Sequence, residues 1–172
     1  MTIILEQFDS YTLPSERVTV TEGVVAIELR AKDSCPMVLL VRGKGEIIDP
    51  ETLSCLPYQE GLTLYSETPK SVLEPRGPGA VPEGIVVLED LAEANYHLRS
   101  YSSCAKVYWA LSRFSRALGS LEVSLSFARL ATHTGLSAKT VYRSVKKLQV
   151  SGVLTHSGIQ FVLNPTPLEN RD

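Results

Sequence analysis

A short stretch near the C-terminal end of the chain carries two sets of side chains at helical spacing. The apolar set is Val141, Val145 and Leu148. The basic set, two positions earlier, is Lys139, Arg143 and Lys146. Because an α-helix turns by about 100° per residue, the two sets lie about 200° apart and the basic set points away from the core. An exposed basic row on a short helix is suited to the phosphates and base edges of the DNA major groove.

The residues around this helix predict how it is positioned. Ser137 is placed to cap its N-terminus, and the helix is expected to run to about Gln149. Gly135 permits the left-handed backbone of a tight turn, and Ser126 is placed to cap a preceding helix over 127–133. Together these features predict two helices joined by a short turn.

Short strands are predicted on both sides of the helix pair. Leu121, Val123 and Leu125 alternate with polar residues, which is typical of a strand. After Ser151 and Gly152, residues 153–155 and 159–163 predict two further strands around a turn at 156–158. Strand, helix, turn, helix and hairpin is the order of a winged helix-turn-helix.

The N-terminal part of the sequence predicts strands and turns. Strand candidates are residues 17–22, 24–30, 37–42, 61–65 and 71–73, with turns at 32–36 and 43–46. Short strands at this spacing favour a small sandwich or barrel. Three prolines and three glycines in residues 74–84 predict a boundary between two parts of the chain.

Two helices are predicted between this boundary and the C-terminal segment. The first covers Val86 to Tyr101, with Ser102 and Ser103 at its end. The second runs from Ala105 to Leu118, with Gly119 as its cap. Its buried positions are expected to be Val107 or Tyr108, Leu111, Phe114 and Leu118.

Charge is divided unequally along the chain. The net charge is −2, but residues 1–95 hold seven Lys and Arg against 16 Asp and Glu. Residues 96–168 hold nine Lys and Arg against one acid, Glu122. This division indicates a part that faces a polyanion, joined to an acidic part.

Other classes of protein have little support in the sequence. Three widely spaced cysteines suit neither a disulfide framework nor a zinc site, and they are expected to be reduced thiols. No nucleophile with its base, phosphate-binding loop or metal cluster is found, so we expect no enzyme, cofactor or metal. No apolar run approaches the ~20 residues of a membrane span, and no targeting signal is seen, which predicts a cytoplasmic protein.

The helix-turn-helix stretch resembles that of the CRP/FNR superfamily of bacterial regulators. The resemblance rests on Leu130-Ala131, Gly135-Leu136-Ser137, Thr140-Val141 and Arg143, with residues 152–163 similar to the family's wing. The order of parts is similar as well. Residues 21–25, 39–41 and 45–46 resemble the family's β-roll, in a shortened domain.

The resemblance implies roles for particular residues. The positions that read bases in the family match Ala138, Lys139 and Arg143, and an arginine there is suited to bidentate contact with guanine. Helix 86–101 matches the family's dimerisation helix, with packing inside one chain as the alternative. No Arg-Ser/Thr-Ala segment follows Gly45-Glu46, so cyclic AMP dependence is not expected. The cysteines do not supply the four ligands of the family's iron–sulfur sensors.

We therefore predict an α+β chain with a small N-terminal β-roll or barrel (cupin-like), connecting helices and a C-terminal winged helix-turn-helix. The domains are 1–80, 81–118 and 119–165. The predicted DNA-binding residues are Ser126, Ser137, Ala138, Lys139, Thr140, Tyr142, Arg143, Lys146, Lys147 and His156. The predicted dimerisation residues are Leu88, Leu91, Leu98 and Tyr101.

The predicted function is sequence-specific binding of double-stranded DNA by a homodimeric transcription regulator, at a palindromic site. RNA polymerase or another regulator is a further candidate partner. The alternatives are a plasmid or phage replication protein, or a winged-helix adaptor that binds protein. For two single residues, the sequence leaves two alternative roles open. Tyr142 contacts sugar-phosphate or packs on the first helix, and His156, placed at the hairpin tip, reaches the DNA or is simply an exposed turn residue.

Overall fold

The fold is taken from a computed structural model that describes residues 2–29, 37–53, 62–76 and 102–164. Contacts within the chain divide it into two compact units, Met1–Arg99 and Ser100–Asp172. The predicted helix over 86–101 and the predicted turn over 32–36 lie outside the described residues. The chain has a β-rich N-terminal part and a C-terminal part dominated by helices, so the α+β class is confirmed.

In its described residues, 2–29, 37–53 and 62–76, the N-terminal unit contains short strands and one helical turn. In chain order these are β1 (Ile3–Glu6), β2 (Ser10–Thr12), β3 (Val18–Glu22), β4 (Val25–Leu29), β5 (Met37–Arg42), β6 (Ile47–Ile48), α1 (Pro50–Leu53), β7 (Leu62–Ser66) and β8 (Lys70–Pro75). They form two four-stranded sheets, ordered β1-β8-β3-β6 and β2-β7-β4-β5. All the strand pairs in these sheets are antiparallel.

The core of this unit follows from alternation along the strands. In β7, for example, Leu62 and Leu64 are buried while Thr63 between them is half-exposed. Aliphatic side chains from both sheets and from α1 form one buried cluster. It contains Ile3, Leu5, Val18, Val20, Val25, Ile27, Leu40, Ile48, Leu53, Leu62, Leu64 and Leu73.

The predicted strands of this unit are all found, with small shifts at their ends. The structure adds elements that the sequence pattern did not predict: β1, β2, β6 and α1. The predicted boundary at 74–84 begins too early, because Glu74 and Pro75 belong to β8 and pair with Thr19 and Val18. Residues 77–84 lie outside the described part of the chain.

One glycine of this unit has no room for a side chain. Gly23, between β3 and β4, has a positive φ of 79°. A Cβ atom there would collide with the carbonyl oxygen of Lys70 and would lie 2.5 Å from the hydroxyl oxygen of Thr68. Only glycine therefore suits this close approach of the chain to the β7–β8 turn.

Within residues 102–164, the C-terminal unit contains three helices and a small sheet. In chain order its elements are α2 (Ser103–Leu118), β9 (Glu122–Ser124), α3 (Phe127–Thr134), α4 (Ala138–Val150), β10 (Leu154–Ser157) and β11 (Gln160–Leu163). The sheet has the order β10-β11-β9. Both of its strand pairs are antiparallel. The helix α2 packs against α3, α4, β9 and β11.

The helix α2 begins slightly earlier than predicted. Ser102 caps it and accepts a hydrogen bond from the backbone N–H of Ala105, so the helix starts at Ser103. Gly119 ends it in a left-handed conformation, as predicted. Leu118 was expected to be buried, but it is 38% exposed because it lies in the last turn, beside the cap.

The hairpin after α4 also differs from its prediction. Ser157 pairs with Gln160, so the turn consists of Gly158 and Ile159 rather than residues 156–158. Gly158 has a positive φ of 61°, which suits the first position of a two-residue hairpin loop. His156 consequently lies within β10, opposite Phe161, and not at the tip.

Candidate nucleic-acid interface

The helix α4 is held at its start by the turn that precedes it. Gly135 ends α3 in a left-handed conformation with φ 65°, and its N–H donates to the carbonyl oxygen of Ala131. Ser137 then adopts an extended backbone and accepts a hydrogen bond of 3.2 Å from the backbone N–H of Thr140. The two residues thus direct α4 away from α3 and satisfy one of its free N–H groups.

One side of α4 is fixed in the core of the C-terminal unit. Val141, Val145 and Leu148 are buried, together with Ser144. The first two are at most 1% exposed, which fits the packing of α4 against α2 and α3. Burial of this face fixes the rotation of the helix about its own axis.

The opposite side of α4 is open to solvent. It presents a row of exposed side chains that we call the α4 basic face. The α4 basic face consists of Ala138, Lys139, Tyr142, Arg143, Lys146 and Lys147. Four of these six residues are cations, and no Asp or Glu occurs in residues 123–168 to neutralise them locally. A surface of this kind attracts polyanions.

Tyr142 packs on the first helix of the pair, which is one of the two arrangements considered for it from the sequence. Its ring lies edge-on to Phe127 at the start of α3, with 5.7 Å between the ring centres. The residue is nevertheless 46% exposed on the α4 basic face. The Nζ atom of Lys146 lies 5.0 Å from the centre of the same ring, in a cation–π geometry.

Because His156 lies within β10 rather than at the hairpin tip, its ring has several partners. Its Nε2 lies 2.7 Å from the carbonyl oxygen of Gly158, so an N–H at this position donates to the hairpin turn. The ring centre is 5.1 Å from that of Phe127 and 4.8 Å from that of Phe161. The residue is half-buried, which corrects its expected place at an exposed tip.

The hairpin itself is uncharged. Residues 148–164 contain no Lys, Arg, Asp or Glu, and His156 is the only titratable group among them. At the turn, Ile159 is 60% exposed. The hairpin therefore differs from α4, because it offers backbone groups and an apolar side chain rather than cations.

The other predicted site residues have structural roles or lie elsewhere. Ser126 caps α3 by accepting a hydrogen bond of 3.2 Å from the backbone N–H of Arg129. Thr140 is half-buried, and its hydroxyl lies 2.9 Å from that of Ser137. The predicted dimerisation residues lie outside the described part of the chain. They are Leu88, Leu91, Leu98 and Tyr101.

Phe127 is a residue of this region that the sequence pattern did not single out. It is the first residue of α3, and its ring contacts Tyr142, His156 and Phe161. These contacts join α3 to α4, β10 and β11. An aromatic residue directly after a capping serine was the only sequence signal that pointed to it.

Neither a metal site nor a membrane-spanning helix is found among the described residues. No group of three His, Cys, Asp or Glu side chains within residues 2–29, 37–53, 62–76 and 102–164 is arranged to hold a metal ion. In the same residues, no helix has the length and apolar character needed to cross a membrane.

Several solved structures are similar to this chain over nearly its whole length. FixK2 from Bradyrhizobium japonicum is 20% identical, with a TM-score of 0.73, and the match covers 95% of this chain and 92% of that one. A CRP/FNR-family transcriptional regulator from Thermus thermophilus is 17% identical, with a TM-score of 0.72 and coverage of 95% and 93%. The c-di-GMP-responsive global regulator CLP of Xanthomonas campestris is 18% identical, with a TM-score of 0.70 and coverage of 96% and 94%.

Sequence comparison adds no further relative. No family model matches the chain, and no curated protein matches it. The similarity is therefore one of structure, at identities of 17–20% in these three proteins. The chain has the fold that is found in transcriptional regulators of the CRP/FNR family.

Proposed function

We propose that this protein is a sequence-specific DNA-binding transcription regulator of the CRP/FNR type. In this proposal the C-terminal unit is a winged helix-turn-helix, α4 is the recognition helix, and β10 and β11 form the wing. The observation that carries the proposal is the α4 basic face, which is exposed directly opposite the buried face of the same helix. The similar folds of known CRP/FNR regulators support it.

The α4 basic face suits the major groove in size and chemistry. A single α-helix fits the groove, and basic side chains on its outer side can reach both base edges and phosphates. Arg143 lies in the first half of α4, where its guanidinium can contact guanine with two hydrogen bonds. We assign Lys146 and Lys147, nearer the end of α4, to phosphates.

We further propose that the regulator acts as a homodimer in the cytoplasm, through the predicted helix over 86–101. Two recognition helices about 34 Å apart would then read a palindromic site one DNA turn in length. RNA polymerase or another regulator would be the protein partner. We propose no enzymatic activity and no dependence on cyclic AMP. In place of an Arg-Ser/Thr-Ala segment, the chain continues after Gly45 and Glu46 into β6 and α1.

The proposal is tested by selecting binding sites from random double-stranded DNA with the full chain, followed by footprinting. We expect a palindromic consensus and a protected region on both half-sites. Arg143→Ala should weaken binding to the selected site by about 1–3 kcal/mol and relax the preference at one base pair. Lys44→Ala, in the exposed turn before β6, is the matched control and should leave binding unchanged.

Other outcomes would support different functions. If the selection enriches no sequence and affinity purification recovers a stable protein partner, the protein is instead an adaptor that binds protein. Genomic sites confined to repeats at a replication origin, rather than promoters, would indicate a replication protein. Light scattering on the full chain tests the homodimer separately from DNA binding.

A further inference from the structure

The aromatic contacts around Phe127 extend to the α4 basic face through Tyr142. Phe127 holds Tyr142 edge-on, with an angle of 62° between the ring planes. Its ring also meets His156 at 69° and Phe161 at 78°. Since Phe161 is fully buried and His156 is half-buried, the Phe127 ring is supported from the interior of the unit. The Tyr142 ring is therefore restrained on the side that faces α3.

The Tyr142 ring also contacts a cation. Lys146 lies four residues later, one helical turn away, and its Nζ lies 5.0 Å from the centre of the Tyr142 ring. An exposed lysine ordinarily moves among many rotamers, and binding a phosphate costs part of that freedom. A cation–π contact restricts the ammonium group before any DNA arrives, which lowers this cost.

We propose that Tyr142 is a positioning residue that holds the Lys146 ammonium ready for a DNA phosphate, with its own ring anchored by Phe127. This inference rests on the proposed DNA binding by α4. It assigns the effect of Tyr142 to its ring and not to its hydroxyl group. The adjacent Lys147 is exposed and has no ring contact in the described residues, so it serves as the internal comparison.

Binding measurements with a double-mutant cycle test this coupling. The variants are Lys146→Ala, Tyr142→Leu and their combination, measured on the selected DNA site. Tyr142→Leu alone should weaken binding roughly two- to fivefold, the scale of an exposed cation–π contact, and should have no further effect once Lys146 is alanine. Tyr142→Phe keeps the ring and should bind as the wild type does.

The control cycle combines Tyr142→Leu with Lys147→Ala. In this cycle the fold-losses of DNA affinity caused by the two substitutions should multiply, because Lys147 does not contact the ring. Independent effects of Tyr142 and Lys146, or a loss with Tyr142→Phe as large as with Tyr142→Leu, would overturn the positioning role. The second of these outcomes would show that the hydroxyl group contacts DNA directly.

A measurement without DNA separates this inference from the proposed function. In nuclear magnetic resonance spectra of the full chain, the Hε protons of Lys146 should be shifted upfield by the ring current of Tyr142. Tyr142→Phe should preserve the shift, and Tyr142→Leu should remove it, with the Lys147 signals unchanged. Unshifted Lys146 protons in the wild type would overturn the inference even if the protein binds DNA tightly. Shifted protons in a protein that binds no DNA would leave the contact intact and refute the proposed function with its phosphate role.

Discussion

The hydroxyl oxygen of Ser137 accepts a hydrogen bond of 3.2 Å from the backbone N–H of Thr140 and lies 2.9 Å from the Thr140 hydroxyl. This pair closes the first turn of α4, which also contains Ala138 and Lys139 of the α4 basic face. The cap therefore sets where the helix starts, and with it the position of Lys139 relative to the rest of the face. In the proposed function, helix stability and DNA reading are therefore linked at this one contact.

Ser137→Ala should lower the free energy of unfolding of the C-terminal unit by about 0.5–2 kcal/mol, because the first N–H groups of α4 lose an acceptor. Urea unfolding followed by tryptophan fluorescence measures this directly, since Trp109 is the only tryptophan and is buried in α2. Ser157→Ala, at an exposed position in β10, is the control. Equal stability of both variants would show that the cap contributes nothing.

Gly23→Ala and Gly45→Ala form a matched pair in the N-terminal unit. Both glycines have positive φ, 79° and 87°, so each alanine variant should lose about 1–2 kcal/mol from backbone strain. A Cβ at Gly45 meets nothing within 4 Å, whereas one at Gly23 collides with the β7–β8 turn. In thermal unfolding followed by circular dichroism, the midpoint temperature of Gly23→Ala should therefore be clearly lower than that of Gly45→Ala. The reverse order would contradict the geometry.

A lysine added at the hairpin turn tests whether the wing touches DNA. Because residues 148–164 carry no Lys or Arg, Ile159→Lys adds a cation to a neutral element. We expect tighter binding and a steeper salt dependence, by about one released counterion per protomer. Leu121→Lys, also exposed but preceding β9, is the control and should change neither quantity. A wing that stands away from DNA would give the same result for both variants.

The salt dependence of the wild type should be set by α4. With four cations on the α4 basic face, the slope of log K against log salt should reach at most about −3.6 per protomer from this helix. Lys147→Gln, which removes a cation assigned to a phosphate, should reduce the magnitude of the slope by about 0.9. Fluorescence anisotropy with a labelled site at increasing potassium chloride gives both values, and an affinity that does not change with salt would contradict the phosphate contacts.

The C-terminal unit was predictable because its signals are local. Ser126, Gly135 and Ser137 each act on a backbone group within a few residues, so their types and spacing place both ends of α3 and the start of α4 to within one residue. The same holds for the two faces of α4, which follow from 3.6 residues per turn. The role of each exposed residue on DNA stays a prediction.

The features that escaped prediction depend on distant partners. The strand β1 is defined by pairing with β8, some 70 residues later, and β6 has only two residues, too few for a periodic pattern. The hairpin turn shifted to Gly158 and Ile159 because cross-strand pairing of His156 with Phe161 decides the register. The Phe127 contacts join residues from α3, α4 and both strands, which no spacing rule along the chain brings together.

The opposite charges of the two parts of the chain have a practical consequence for purification. With a sequence pI near 5.9, the protein is a net anion at neutral pH and should adsorb to an anion exchanger. The four exposed cations of the α4 basic face should nevertheless bind it to heparin at the same pH. Retention on both resins under one buffer condition would separate this protein from ordinary acidic proteins of its size in two chromatographic steps.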